Sequence, residues 1–458
     1  MKTTTLLIAI MAALTTACST TQNTSPPQYV STAPAAWERV EDIGEVDQRW
    51  VAAFDNKDLE SLIARALTAN HGLARQAARV EEARQAVIVS RATRLPSLSA
   101  GLTGSRRRAG SASTGFDTGS NFSLGVDGQY EVDIWRQLSD GQRQAQHLFR
   151  AAQYDYENQR LQLVADVSIA WYNVIFARQL EDLFEQRVEN IEKNLDIIER
   201  GYQRGLNSAL DVYLTRSSAE QERARWAQQQ QTMLEATASL QLLLADYPSG
   251  QWTATINLPT IESAILAGVP ASIVARRPDL QSAWFQMLAQ DAAVAIAHKN
   301  RFPQVTLSAS LDDAAGNIGD AVDGSGLLWS LVSNVSQPVF NGGRLRAQEE
   351  QARQRLVQAE QTYLGSVNQA FAEVENALSE RRSLMTRVTA VEQAGENASA
   401  AYDLSFQQYR RGLVSYATVL EAEQRSFEAN SSSLELRYRL LVNRVNLNVA
   451  LGGAGKTL

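Results

Sequence analysis

The sequence predicts a mainly α-helical chain with a transmembrane β part, in which one helix–β-hairpin–helical-hairpin module is used twice. Three observations predict this class. The second half repeats the first at a fixed offset of 207 residues. Near-heptad apolar patterns run too far to fold within one globular core. Between them lie short stretches whose hydrophobic period is two rather than 3.6.

The repeat is explicit in the residues. Arg94-Leu95-Pro96 returns as Arg301-Phe302-Pro303, and Tyr202-Gln203-Arg204-Gly205-Leu206 returns as Tyr409-Arg410-Arg411-Gly412-Leu413. Leu73/Leu280, Val167/Val374, Leu240/Leu447 and Leu244/Leu451 keep the same spacing without a gap. Such an offset is far longer than a solenoid unit.

The first element, residues 1–17, reads as an export signal: Lys2, an apolar stretch from Leu6 to Leu14, then small residues. Cys18, the sole cysteine, follows directly. No internal disulfide is therefore possible. The placement resembles a bacterial lipobox, although Thr15 fills the position usually held by Leu. Cleavage before Cys18 and its acylation are expected, which takes the net charge from −7 to −8 by removing Lys2. Residues 18–50 form a Ser/Thr/Pro-rich tether and the start of a waist region. Beyond the signal, no window offers the ~18 apolar residues a spanning helix needs. Any crossing of a membrane must use strands.

Repeat 1 covers residues 51–245. It opens with one helix from Leu59 to Arg91, stopped by Pro96. A β-hairpin follows at 97–133. Leu98, Ala100 and Leu102 alternate with Ser97, Ser99 and Gly101, and Phe122, Leu124 and Val126 alternate with Ser123, Gly125 and Asp127. Strands of about 10 residues and a flexible loop from Ala109 to Gly119 are expected. Long helices then run over 138–203 and 207–245, broken at Gly205. A helix of ~65 residues would extend ~100 Å at 1.5 Å per residue. The shorter helices are expected to stack end to end along each long one. A linker at 246–270 carries Pro248, Gly250, Pro259 and Gly268. Repeat 2, residues 271–451, repeats the plan. Its helix from Ile273 to Lys299 is entered through Arg276-Arg277-Pro278-Asp279. Its hairpin is at 304–340, its long helices at 345–410 and 414–451, and its tail at 452–458.

Four strands per chain cannot close, and open edges in lipid leave unpaired backbone groups that cost several kcal/mol each. Two chains would supply eight strands and three would supply twelve. The pattern excludes a monomer and leaves both assemblies open.

Other classes fit less well. A net charge of −7 argues against a nucleic-acid partner. His71, His147 and His298 are far apart, with no metal-type pair among them. No Gly-x-Ser-x-Gly occurs. Gly453-Ala454-Gly455-Lys456-Thr457 lacks the first Gly of a phosphate loop. No enzyme, metal or cofactor is expected, beyond the lipid on Cys18. A lipid-anchored, non-spanning periplasmic coiled-coil scaffold would explain the helices and Cys18 but not the repeated hairpins.

The lipobox, the duplicated module, Arg276-Arg277-Pro278-Asp279-Leu280, Gln337-Pro338-Val339-Phe340-Asn341-Gly342-Gly343-Arg344-Leu345 and the paired Arg-Gly-Leu turns resemble the TolC-type outer-membrane factors. Within them the chain is most similar to the NodT-like efflux lipoproteins. The resemblance implies a homotrimer, a twelve-stranded barrel in the outer membrane of a Gram-negative bacterium, and a helical tunnel through the periplasm. It implies an exit duct of a tripartite efflux system, docked on a periplasmic adaptor and through it on an inner-membrane transporter. A duct for type I protein secretion is the alternative cargo reading. The docking turns carried over are Arg204-Gly205-Leu206 and Arg411-Gly412-Leu413. The family closes its channel at this end with carboxylates and side-chain links. Asp211 and Glu421, taken as matching places past each break, are the gate carboxylates expected here. Thr418 stands where some members carry a second acid and Val414 where some carry a basic partner, a role expected of Arg410 or Arg411 instead.

Overall fold

The structure is a computed structural model. It describes residues 37–38, 50–111, 115–251, 257–259, 270–324 and 326–453. The signal, Cys18, most of the tether, most of the 246–270 linker and the last five residues lie outside these.

Repeat 1 begins at a 3-10 turn, Ala52–Phe54, and continues through α1 (Lys57–Ala69) and α2 (His71–Ala92). The strands β1 (Ser97–Ser111) and β2 (Gly115–Val132) lead to α3 (Gln137–Gln203) and α4 (Ala209–Leu243). Repeat 2 runs through α5 (Pro270–Arg276), α6 (Pro278–Lys299), β3 (Gln304–Ala315), β4 (Leu328–Ser336), α7 (Arg344–Arg410) and α8 (Tyr416–Ala450). The two long helices have 67 residues each, which corresponds to ~100 Å.

The single helix expected over 59–91 is two helices. Asn70 ends α1 and starts α2: its N–H donates to Ala66 O at 2.9 Å, and its Oδ1 accepts from Leu73 N at 3.0 Å. A side chain that caps the next helix outcompetes continuation of the last one. The same Asn70 donates through Nδ2 to Leu243 O at 2.9 Å, which seats the start of α2 on the end of α4. One repeat later Arg277 donates to Ala450 O at 3.3 Å and seats α6 on α8. The positions correspond at the 207-residue offset although the donors differ chemically. Two stacked helices thus line each long one.

The recurrent apolar positions are core positions. Val167, Val374, Leu240, Leu447, Leu280 and Leu451 are completely buried, and Leu73 and Leu244 nearly so. They belong to two waist cores, one around Trp50, Phe54, Trp171 and Tyr172 and one around Trp37, Ile273 and Leu378.

The four strands form one antiparallel sheet in chain order, with β1 and β4 at its edges. The register aligns Leu102, Leu124 and Asp313 in one row, and Ala100, Val126, Leu311 and Trp329 in the next. Leu98, Gly128, Ala309 and Leu331 follow, so one face is nearly continuous apolar surface left exposed. The opposite face carries Ser99, Asp127, Ser310 and Ser330 in register, with Ser310 and Ser330 hydroxyls 2.9 Å apart. The loop expected over 109–119 is largely strand. Arg106, Arg107 and Arg108 pair with Ser120, Gly119 and Thr118, and the Arg108 guanidinium lies 4.9 Å from the Phe116 ring centroid. Backbone pairing in a hairpin continues past the apolar band without any side-chain pattern to announce it.

Candidate functional site

At the end of the helices opposite the sheet, α3 turns into α4 and α7 into α8 by the same device. Gly205 N–H donates to Tyr202 O at 2.9 Å and Leu206 N–H to Gly201 O at 2.9 Å. Gly412 N–H donates to Tyr409 O at 2.8 Å and Leu413 N–H to Gln408 O at 3.0 Å. This is the Schellman arrangement, which satisfies two otherwise orphaned carbonyls. It needs φ > 0 at the glycine, and Gly205 and Gly412 have φ of 74° and 73°. No atom lies within 4 Å of where a Cβ would sit at either, so backbone conformation alone selects glycine there.

A Schellman turn usually tucks its last apolar residue against the helix it ends. Here Leu206 and Leu413 stay 77% and 68% exposed. Arg204 and Arg411 beside them are also exposed. The core of this tip is closed without the leucines, by Ile198, Val212, Tyr416 and Val419 with Tyr402, Phe406 and Tyr409 around them. The two turns are joined sideways: Tyr409 Oη donates to Asn207 Oδ1 at 3.2 Å, and Asn207 Nδ2 donates to Ile198 O at 3.1 Å. Between them lies a cleft of about 660 Å3 lined by Arg204, Arg410, Asp211, Val414 and Tyr409 among others.

The gate candidates separate. Asp211 closes a capping box: its Oδ2 accepts from Ser208 N at 3.0 Å and from Ser208 Oγ at 2.7 Å, while Ser208 Oγ accepts from Asp211 N at 3.2 Å. Its repeat counterpart is Thr418, whose Oγ1 lies 3.2 Å from Ser415 Oγ in the equivalent cap. Asp211 and Glu421 therefore do not occupy matching places; Glu421 lies three residues deeper, exposed and paired with Arg425 at 2.6 Å. Asp211 and Arg410 are brought to one cleft, whereas neither Arg411 nor Glu421 lines it.

Further along the helices a charge cluster is buried that the sequence pattern hides. Arg187 of α3 pairs with Glu222 of α4 at 3.1 Å and lies 4.3 Å from the Phe427 ring centroid of α8. Glu423 of α8 is buried beside them. Burial raises its carboxyl pKa to about 7, with Arg187 opposing and Glu222 adding to the rise. In sequence these residues are charges at helical spacing, indistinguishable from a solvated face.

The sequence profile of the outer membrane efflux protein family matches residues 62–246 and 269–453, one match per repeat. The chain belongs to the outer membrane efflux protein family. It is 30% identical to the pyoverdine export outer membrane protein OpmQ of Pseudomonas aeruginosa, over 92% of this chain and 91% of that protein. It is 27% identical to the cation efflux system protein CusC of Escherichia coli, over 88% of each. The outer membrane channel CmeC of Campylobacter jejuni superposes with a TM-score of 0.85 at 21% identity, covering 92% of this chain and 91% of that one, which shows a common fold.

As an outer membrane efflux protein, the chain is a channel component whose sheet is its share of a membrane barrel and whose stacked helices continue away from it. Among the described residues no helix is long and apolar enough to cross a membrane.

Proposed function

We propose that three copies close a twelve-stranded barrel and a helical tunnel, forming the passive exit duct of a tripartite efflux system. The four-stranded sheet supports this: its two edges are unpaired among the described residues and its apolar face is exposed. Edges of that kind persist in lipid only when joined to neighbouring strands. Eight strands would be filled by side chains, whereas twelve leave a lumen for the polar face. A head-to-tail ring provides the symmetry.

The observation that carries the docking role is the pair of exposed leucines on turns whose core is already closed. Leu206 and Leu413, with Arg204 and Arg411, present apolar contact and guanidinium donors to a periplasmic adaptor, and Gly205 and Gly412 hold the turns. The adaptor links the duct to an inner-membrane transporter. Asp211 and Arg410, which line the same tip cleft, are the closing elements; Thr418 and Glu421 contribute less directly. Cys18 carries the lipid that adds an outer-membrane anchor, and no other cofactor or chemistry is involved. The relatives' named cargoes, pyoverdine and cations, are small solutes, and the reading for this chain is small-solute efflux rather than protein secretion.

The test is copurification of a coexpressed periplasmic adaptor with wild type and with the Leu206→Ala, Leu413→Ala double variant. The reading expects normal membrane insertion in both and loss of adaptor capture and efflux in the variant. Undiminished capture would place the docking surface elsewhere.

A further inference from the structure

The two repeats part company at one place where their backbones agree, the junction between strands and long helix. Each repeat holds an arginine just before its first strand, Arg94 and Arg301, one offset apart. Each donates through Nη1 to the residue one offset apart on the long helix: Arg94 to Gln142 Oε1 at 2.7 Å, Arg301 to Glu349 Oε2 at 2.8 Å. In repeat 2 the acceptor is a carboxylate. Glu349 also takes Arg353 Nη2 at 2.7 Å and lies 3.0 Å from His298 Nδ1. Burial opposes its ionisation, but hydrogen bonds from Arg353, Arg301 and His298 outweigh burial and hold the carboxyl at about 2.

In repeat 1 the acceptor is neutral and the cations are more numerous. Arg94, Arg136, Arg143 and Lys299 line a cleft of about 460 Å3 that contains one acid, Asp140. Asp140 is buried and engaged by Arg143 and Lys299. The nearby Asp133 is taken by Leu138 N, Ser139 N and Ser139 Oγ at 3.0, 2.9 and 2.6 Å. Burial and the neighbouring Arg143 and Arg136 push the Lys299 ammonium below its usual range, with Asp133 opposing. Like charges are thus gathered around one lining carboxylate that two of them already hold.

We propose that the repeat-1 junction binds a phosphate-type oxyanion between Arg94, Arg136 and Lys299, supplying the negative charge that Glu349 supplies within repeat 2. A phosphate accepts several charge-assisted hydrogen bonds and suits guanidinium donors. The flanking residues favour a phospholipid headgroup as its source. Leu95, next to Arg94, and Ile134, two residues before Arg136, are 60% and 54% exposed. Their counterparts are Phe302, packed on Trp135 at 5.2 Å, and Asn341. The cleft sits where the strands end and the helices begin, and the exposed apolar rows of the sheet start at Leu98, four residues from Arg94. Cations beside exposed apolar side chains suit that boundary.

The experiment uses the full-length assembly, in nanodiscs of mixed phosphatidylglycerol and phosphatidylcholine for native mass spectrometry, and in detergent with inorganic phosphate for phosphorus NMR. Arg136→Gln removes a donor. Gln142→Glu installs the carboxylate that the fold already accommodates in repeat 2. Wild type is expected to retain phosphatidylglycerol over phosphatidylcholine, and both variants to lose that retention about tenfold or more, as for one charge-assisted hydrogen bond. Phosphate broadening in wild type alone, without lipid preference, would confirm the oxyanion site and assign it to a free anion. Equal behaviour of wild type and both variants toward both probes, or binding of neither, would overturn the proposal. The detergent arm stands whether or not the chain forms a trimeric duct.

Discussion

Replacing Glu423 by glutamine should stabilise the protein by an amount that grows as pH rises from 4.5 to about 7 and is absent below that window. The carboxyl is buried, and the guanidinium of Arg187 near it is already paired with Glu222, which also holds Arg225 at 3.0 Å. Its pKa rises from 4.5 to about 7 on folding. For an acid, a raised folded-state pKa means the folded form binds more protons between those two values. Stability therefore falls as pH rises from 4.5 to about 7 and stays low above it. A rise of that size corresponds to about 3 kcal/mol per chain once Glu423 is ionised, at roughly 1.4 kcal/mol per pKa unit. Glutamine mimics the protonated form. Thermal unfolding of Glu423→Gln against wild type should show a Tm higher by several degrees near about pH 8 and indistinguishable near about pH 4. Equal shifts at both pH values, or destabilisation at the higher one, would show that the charge is compensated by groups other than Arg187.

Other substitutions probe the remaining elements. Gly205→Ala or Gly412→Ala should cost about 1–2 kcal/mol each through φ alone, read as a lower unfolding midpoint, since the added methyl meets nothing within 4 Å. The Leu206→Ala, Leu413→Ala pair should leave Tm unchanged while abolishing efflux in a drug- or metal-accumulation assay, because these side chains contribute little to the folded core. Asn70→Ala removes both a cap and the tie to Leu243; it should cost about 1–2 kcal/mol and speed hydrogen exchange at the start of α2. Cys18→Ser should remove the mass of the acyl groups yet leave the protein in outer-membrane fractions, since a closed barrel is held without them.

Much of the fold was legible because duplication doubles the evidence. A single period-two hairpin is a weak signal; the same hairpin at the same offset, flanked by the same proline and the same long helix, is a strong one. Val167 and Val374, or Leu240 and Leu447, stand out as core because both copies kept them, and both are fully buried. What stayed hidden depends on the side chains of distant elements. The break at Asn70 escapes a periodicity reading because the apolar stripe continues across it, and its tie to Leu243 joins residues 173 apart in sequence. The extension of β1 through Arg106 to Arg108 carries no alternation to read. The tip was legible down to its glycines, since Tyr-x-Arg-Gly-Leu at the end of a heptad run fixes a Schellman turn. The gate was not: counting turns past each glycine equated Asp211 with Glu421, whereas the shared cap position equates Asp211 with Thr418. The cluster of Arg187, Glu222 and Glu423 comes from three helices, and only their packing removes it from water.

The central claim is that four strands from each of several chains close one barrel. Electron microscopy of the detergent-purified particle, with its mass measured on the same sample, tests this most directly. The account predicts three chain masses in a three-fold tube, with a barrel at one end and a helical tunnel of ~100 Å beyond it. A monomer, or an open helical bundle with no barrel, would contradict it.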